Sequence, residues 1–360
     1  MTSGRSSRPG REAGHFTSQL PIIARALPQL SYAAARLGDG SEVLGFDTEM
    51  SADHNYGPTV QIILDAANFA HADVLMAALD AQLPERFEDW TIRFESVGRH
   101  VRADGWLTSD HGVELITLEA LLRRQVGAAL GPWSNVDWLS FLEQRLLTLI
   151  AGVVFRDDGG QLADLRQRLD YFPRDVRLLR LATEWDAIGE ERAFVGRTGE
   201  LSDALGSRVI GSRLVEHLMR IAFLVERRYA PYPKWFGTAF ARLDSAAVLQ
   251  PLLAEALEAA DWQQREAAIA RAAEHLAQLQ LEHGIPGAVP PRIASYFTRP
   301  FQVINADAIA AGLRGAITDP MLRQLPVGGI DQLTGMVPIL TAPEQARRLV
   351  AALVPDQPGE

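Results

Sequence analysis

A small α+β domain followed by a larger all-α domain is the fold that this sequence predicts, and three observations predict it. Strand-like runs, TVQIILD, WTIRFES and VELITL, are confined to the first third of the chain. From Leu118 almost to Gln280, apolar residues recur at the 3.6-residue period of a helix. At 360 residues and 47% hydrophobic content, the chain is long enough to fill two or three cores.

The first fourteen residues are polar and basic with no apolar stretch behind them, so residues 1–15 are expected to be a disordered tail. The first domain, 16–130, then forms a small mixed sheet with helices. Leu20, Ile23, Ala24, Leu27, Leu30, Ala33 and Ala34 predict one or two short helices between Phe16 and Leu37, broken near Pro21 and Pro28. Gly38, Gly40 and Gly45 mark a connection rich in turns. A helix is predicted from His71 to Gln82, closed by Pro84. The change of character between Gly127 and Asn135 sets the boundary to a helical domain at 131–285. Its helices are predicted over Val136–Phe155, Gln161–Leu169, Val176–Gly189, Leu201–Tyr229, Trp235–Leu243 and Ala246–Gln280. The remainder, 286–360, reads as a helical and irregular extension packed on that domain, with helices near Ala306–Ile317 and Pro343–Leu353. No repeat of fixed period is present.

Composition narrows the chemistry. With no cysteine, disulfides, thiolate metal sites and thiol nucleophiles are excluded together, and a cytoplasmic location is expected. The longest apolar runs stop well short of a bilayer span, so no membrane segment is expected. A net charge of −10, without a basic stripe interleaved with aromatics, disfavours extended nucleic-acid binding. All but one of the 35 basic residues are arginine, and the exception is Lys234. A compact ammonium suits a triphosphate as a point charge. Arg227 and Arg228 stand just before it to reinforce a phosphate field, while Tyr232 and Trp235 beside it are able to stack a base.

The densest chemistry lies between Gly40 and Pro58. A Gly40-Ser41 turn lets backbone N–H groups approach phosphates closely. Eleven residues, 42 to 52, separate Ser41 from Asp53, and Asn55 stands two positions further on. In nucleotidyltransferases of the polymerase-beta type, such a turn precedes two carboxylates one residue apart, which share divalent metals on one face of a strand. Here the second carboxylate position is Asn55, whose amide oxygen can ligate but carries no charge. Glu114 in VELITL shares a strand face with Ile116, so it is the candidate third acidic residue, as metal ligand or general base. Its alternative is a structural pair with an arginine such as Arg93 or Arg102. Asp47 and Glu49 lie too close to Ser41 for the spacing and read as solvated turn residues. His54 and His111, each following an aspartate, read as structural or as orienting Asp53.

Three segments, GSEVLGFDTEMSADHNYGPTVQIIL, TSDHGVELITL and ERRYAPYPKWFGTAFARL, resemble the bacterial family of domain of unknown function 4037, which is grouped with nucleotidyltransferase-like proteins. The resemblance runs from about Gly40 to about Leu325. Members of that family carry DHDWG where this chain has DHNYG. The resemblance implies a nucleotidyltransferase-like fold similar to that of aminoglycoside adenylyltransferases, whose helical domain helps to hold nucleotide and acceptor. Tyr229 to Trp235 looks like the counterpart of the lysine-bearing segment in those enzymes.

Together these readings predict a protein that holds a nucleoside triphosphate, ATP by expectation, with Mg2+ or Mn2+ between its domains. It would transfer a nucleotidyl group to a small-molecule acceptor. Asp53 and Glu114 would serve catalysis and, with Asn55, the metal; Gly40, Ser41, Arg227, Arg228, Tyr232 and Lys234 would contact the nucleotide. The alternative is a catalytically silent nucleotide-binding or regulatory module that lost the second carboxylate.

Overall fold

The computed structural model describes residues 8–46, 59–87, 90–92 and 102–354. The chain divides into two compact units, Met1–Pro132 with Arg145–Asp170, and Trp133–Gln144 with Tyr171–Glu360. The first opens with helix α1 (Arg8–Ala26) and strands β1 (Ala33–Arg36) and β2 (Val60–Leu64), then α2 (Ala66–Phe69) and α3 (Ala72–Gln82). Four short strands follow, β3 (Arg86–Phe87), β4 (Trp90–Thr91), β5 (Arg102–Ala103) and β6 (Trp106–Thr108). Strand β7 (Val113–Thr117) runs directly into α4 (Leu118–Val126). After α5 (Asn135–Ser140), which belongs to the second unit, come α6 (Glu143–Ala151), β8 (Val153–Asp157) and α7 (Gln161–Arg168).

Among the described residues, six strands form one sheet in the order β5-β6-β7-β2-β1-β8. Only the β2–β7 pair within it is parallel. Strand alternation sends Val60, Ile62, Leu64, Val113 and Leu115 to one face, where they bury against Phe16, Ile22 and Ile23 of α1 and Leu75 and Leu79 of α3. The same alternation sends Gln61 and Glu114, aligned partners across the parallel pair, to the opposite face.

Several predicted elements differ. Helix α1 begins at Arg8, inside the stretch read as a tail, and continues through Pro21 instead of breaking there. Proline removes one backbone donor, but Ile22 and Ile23 just beyond it are buried in the core and hold the helix on course. Ala33–Ala35, read as helix, form the strand β1 between β2 and β8, and their small side chains are fully buried there. The predicted helix Val136–Phe155 divides into α5, α6 and β8. Phe141, extended at ψ 122°, ends α5. A Cβ on Gly152 would stand 2.0 Å from the Arg36 carbonyl oxygen, so glycine is what lets the chain come alongside β1. Of the predicted strand WTIRFES, Trp90–Thr91 pairs with β3 and Arg93 to Ser96 lie outside the described residues.

The second unit continues with α8 (Arg174–Glu191), α9 (Phe194–Glu200), α10 (Ala204–Val225), α11 (Pro233–Phe240), α12 (Ala246–Glu258) and α13 (Trp262–Glu282). It is not wholly helical: strands β9 (Ile293–Ser295) and β10 (Gln302–Ile304) form an antiparallel hairpin. Helices α14 (Ala306–Gly315), α15 (Pro320–Gln324), a 3-10 turn at Ile330–Gln332, α16 (Val337–Leu340) and α17 (Pro343–Ala351) complete it. The single helix predicted over Ala246–Gln280 is two, because Asp261 accepts a hydrogen bond from the Gln264 N–H at 2.8 Å and caps a fresh start at Trp262. Trp185 of α8, fully buried, anchors the core and donates from Nε1 to Gln280 of α13 at 3.3 Å.

Candidate functional site

Two places gather polar side chains against buried surroundings, one in each unit. In the first unit, the turn after β1 is organised by Arg36. Its guanidinium donates to the Leu37 carbonyl and to the Asp39 carbonyl, each at 2.8 Å, and pairs with the Glu42 carboxylate. Gly40, at φ +149°, holds a backbone conformation that side-chain-bearing residues rarely adopt, and a Cβ there would crowd the Arg36 guanidinium and the Glu42 carboxylate. Ser41 opens a tight turn in which its carbonyl accepts from the Phe46 N–H at 2.9 Å. Arg145 of α6 donates to Asp39 at 2.7 Å and to Gln125 at 3.2 Å. Gln61 accepts from the Leu37 N–H at 2.9 Å, pinning the end of β1 to β2.

Glu114 stands on β7, on the same sheet face as Gln61, and is 24% exposed. Arg124 of α4 donates to its carboxylate at 3.0 Å and lies 4.5 Å from the centre of the Trp106 ring. The helix that delivers this arginine starts where the strand ends, since the Thr117 side chain accepts from the Ala120 N–H and caps α4. The arginine partner of Glu114 is therefore Arg124, while Arg102 is paired with Asp73 and Arg93 lies outside the described residues. His111 is fully buried, its Nε2 lying 3.2 Å from Asp80 and its Nδ1 accepting from the Val113 N–H. Asp53, Asn55, Asp47, Glu49 and His54 lie outside the described residues.

In the second unit, the segment Tyr229–Pro233 is strung between α10 and α11. Its two prolines carry no N–H, and the intervening donors are met by the first two residues of α6. The Ala230 N–H donates to Glu143 at 2.8 Å and the Tyr232 N–H to Gln144 at 2.6 Å. Glu143 is also paired with Arg180 of α8 at 3.0 Å, and the same guanidinium reaches Asp331 at 3.3 Å. Burial pushes the Glu143 carboxyl up to about 7, with Asp331 adding to the rise and Arg180 opposing it. Arg220 of α10 donates to Glu216 at 2.8 Å. Burial alone would lower its pKa, but Glu184, Glu216 and Glu143 together raise it.

Glu143, Gln144, Glu216, Arg220 and Asp331 line a cavity of about 360 Å³ whose walls include Leu142, Val215, Met219 and Phe236. Tyr232 lines it too. Lys234 does not: it is exposed on the first turn of α11, its Nζ 4.4 Å from the centre of the Trp235 ring. Arg227, at φ +54°, sets its guanidinium 5.1 Å from the centre of the Tyr171 ring, and Arg228 is exposed. The sequence-predicted residues of this unit thus separate into one cavity residue, Tyr232, and a set of cations on the outside. Sequence reasoning passed over Glu143, Arg180 and Asp331, which are far apart in the chain and carry no motif. Gln61 and Arg36 had a signal, as polar residues interrupting apolar strands.

Among the described residues, no group of three His, Asp or Glu side chains is placed to hold a metal ion. Among the same residues, no helix is long and apolar enough to cross a membrane.

A mixed sheet backed by helices, joined in one chain to a mainly helical unit with a hairpin, defines an α/β protein. Within it, residues 138–236 match the family described as domain of unknown function (DUF4037). That stretch contains Glu143, Arg180, Arg220 and the Tyr229–Trp235 segment. A solved structure, of a nucleotidyltransferase-like protein from Exiguobacterium sibiricum 255-15, is similar at 16% identity and a TM-score of 0.34, over 75% of this chain and 77% of that one. No curated protein matches the chain.

Proposed function

We propose that the chain is a nucleotidyltransferase-like enzyme that transfers a nucleotidyl group from a nucleoside triphosphate, ATP foremost, to a hydroxyl or phosphate of a small-molecule acceptor. The observation that supports this reading is the parallel pairing of β2 with β7. It sets Glu114 beside Gln61, on the strand next to the one that Asp53 and Asn55 precede. In this reading Gly40 and Ser41 meet phosphate oxygens, and Asp53, Asn55 and Glu114 form the acidic side of the site. Arg227, Arg228 and Lys234 contribute positive charge toward phosphates, and Tyr232 contributes contact with the nucleotide. The described donors do not by themselves fit Mg2+ or Mn2+, because Glu114 is already engaged by Arg124. Metal binding therefore depends on Asp53.

The second reading, a catalytically silent module that binds nucleotide, is favoured by that same Glu114–Arg124 pair together with the neutral Asn55. Calorimetric titration of ATP with and without magnesium separates the two. Transfer predicts binding that needs the metal and label transfer from α-labelled ATP, with D53N losing both. Binding that ignores magnesium, or a D53N variant with full transfer activity, ends the transfer reading.

A further inference from the structure

We infer that the cavity of the second unit is a binding site for a small organic cation with an apolar body, an amine carried on a hydrophobic group. The inference starts from a charge balance that the fold leaves incomplete. Glu143 and Asp331 both line the cavity, and both lean on the single guanidinium of Arg180, at 3.0 and 3.3 Å. Arg180 is 1% exposed and does not reach the cavity surface, so it neutralises one of the two carboxylates from behind. Burying a second, unmatched negative charge is costly, and the chain relieves it by letting Glu143 keep a proton up to about pH 7. A ligand ammonium replaces that proton.

The other charged groups do not supply the missing cation. Arg220 also lines the cavity, but Glu216 holds it at 2.8 Å and Glu184 faces it as well. Glu184 is itself held by His217 at 2.6 Å and by Gln332 at 2.6 Å. Tyr171, the remaining titratable neighbour of Glu143, is held neutral by burial, which pushes its phenol far up. Three carboxylates that line the cavity, Glu143, Glu216 and Asp331, therefore stand against two guanidinium groups, Arg180 and Arg220. A polyphosphate meets net repulsion there, whereas an ammonium is attracted to the carboxylates and its apolar body fits Met219, Phe236 and Leu257. A cavity of about 360 Å³ lies within the range of small-molecule sites.

The test uses the full chain with 4-phenylbutylamine, its neutral counterpart 4-phenylbutanol, and ATP without metal as an anionic probe, titrated calorimetrically at pH 6 and pH 8. The amine is expected to bind at least tenfold more tightly than the alcohol and more tightly at pH 8 than at pH 6. It is also expected to release protons near pH 7, seen as a buffer-dependent heat. Leu257 is 49% exposed at the cavity wall, so L257W fills the space without disturbing the core and is expected to weaken the amine at least tenfold. D331N is expected to do the same by removing the unmatched charge. Equal affinities for amine and alcohol, tighter binding of metal-free ATP than of the amine, or amine binding unchanged in L257W would each overturn the inference. It does not rest on nucleotidyl transfer, and its failure would leave the ATP and magnesium experiment unaffected.

Discussion

Two glutamates of this chain each meet an arginine at 3.0 Å, Glu114 with Arg124 in the sheet unit and Glu143 with Arg180 in the helical unit. Identical distances conceal opposite physics. Glu114 and Arg124 are 24% and 27% exposed, so water still solvates both partners and screens their attraction. Glu143 and Arg180 are 8% and 1% exposed, and their arginine is shared with Asp331. The first pair is close to matched and weakly bound; the second is a buried network short of one positive charge. An ion-pair distance says little about a pair's energetic role until burial and stoichiometry are counted.

The contrast is broken most forcefully at Arg180. R180M keeps much of the volume that packs on Phe172, whose ring centre is 4.1 Å from the guanidinium carbon, but leaves two carboxylates buried with no cation between them. The loss is expected to be about 3–5 kcal/mol, read by urea unfolding. The backbone around it is fitted to the arginine, since a Cβ on Gly329 would stand 2.2 Å from its guanidinium. A loss below about 1 kcal/mol would mean that the two carboxylates are solvated in the native state and that the two pairs do not differ.

Next in size is a pH effect. The Glu143 carboxyl rises from 4.5 to about 7 on folding, so between those values the native chain holds a proton that the unfolded chain has released. Its contribution is fully present below pH 4.5, declines as pH rises, and is gone above about 7. The difference across that window is on the order of 3 kcal/mol. E143Q, neutral at every pH, should lose this slope and become relatively more stable at pH 8 than at pH 5. Glu266, also pushed to about 7 by burial, keeps its own slope in both proteins, so the difference between the two curves isolates Glu143. Parallel curves for wild type and E143Q would show that Glu143 is ionised in the fold at all these pH values.

The two regions were unequally legible in the sequence. The strand Val60–Leu64 and the helix Ala72–Gln82 follow from local signals, an unbroken apolar run and a helical period stopped before Pro84. Glu114 was legible because alternation exposes a charge out of place on a strand, but its partner Arg124 was not, since the strand-to-helix turn at Thr117 decides which residue comes back over the sheet. Strand β1 and the division of Val136–Phe155 were hidden because small and apolar residues satisfy a helical period as readily as a buried strand, and only the neighbouring strands choose between them. The cavity network was invisible for a different reason. Glu143, Arg180, Arg220 and Asp331 each sit at an ordinary helical or turn position, and their meaning arises only where the second unit brings Glu143, α8, α10 and the turn at Ile330–Gln332 together.

The smallest stability effect, and the one that most sharpens the contrast, belongs to the exposed pair. E114Q and R124M should each change unfolding stability by less than about 1 kcal/mol, because a solvated ion pair contributes little and water takes the place of either partner. Their effects on function should differ from each other. If Glu114 serves the acidic side of a transfer site, E114Q loses label transfer from α-labelled ATP at nearly unchanged stability, whereas R124M frees the carboxylate and tightens magnesium-dependent ATP binding. If the pair is only structural, both variants leave ATP binding as it was. Urea unfolding together with calorimetry on these two variants therefore tests whether the weakly bound glutamate is the functional one, while the strongly buried Glu143 governs stability and its dependence on pH.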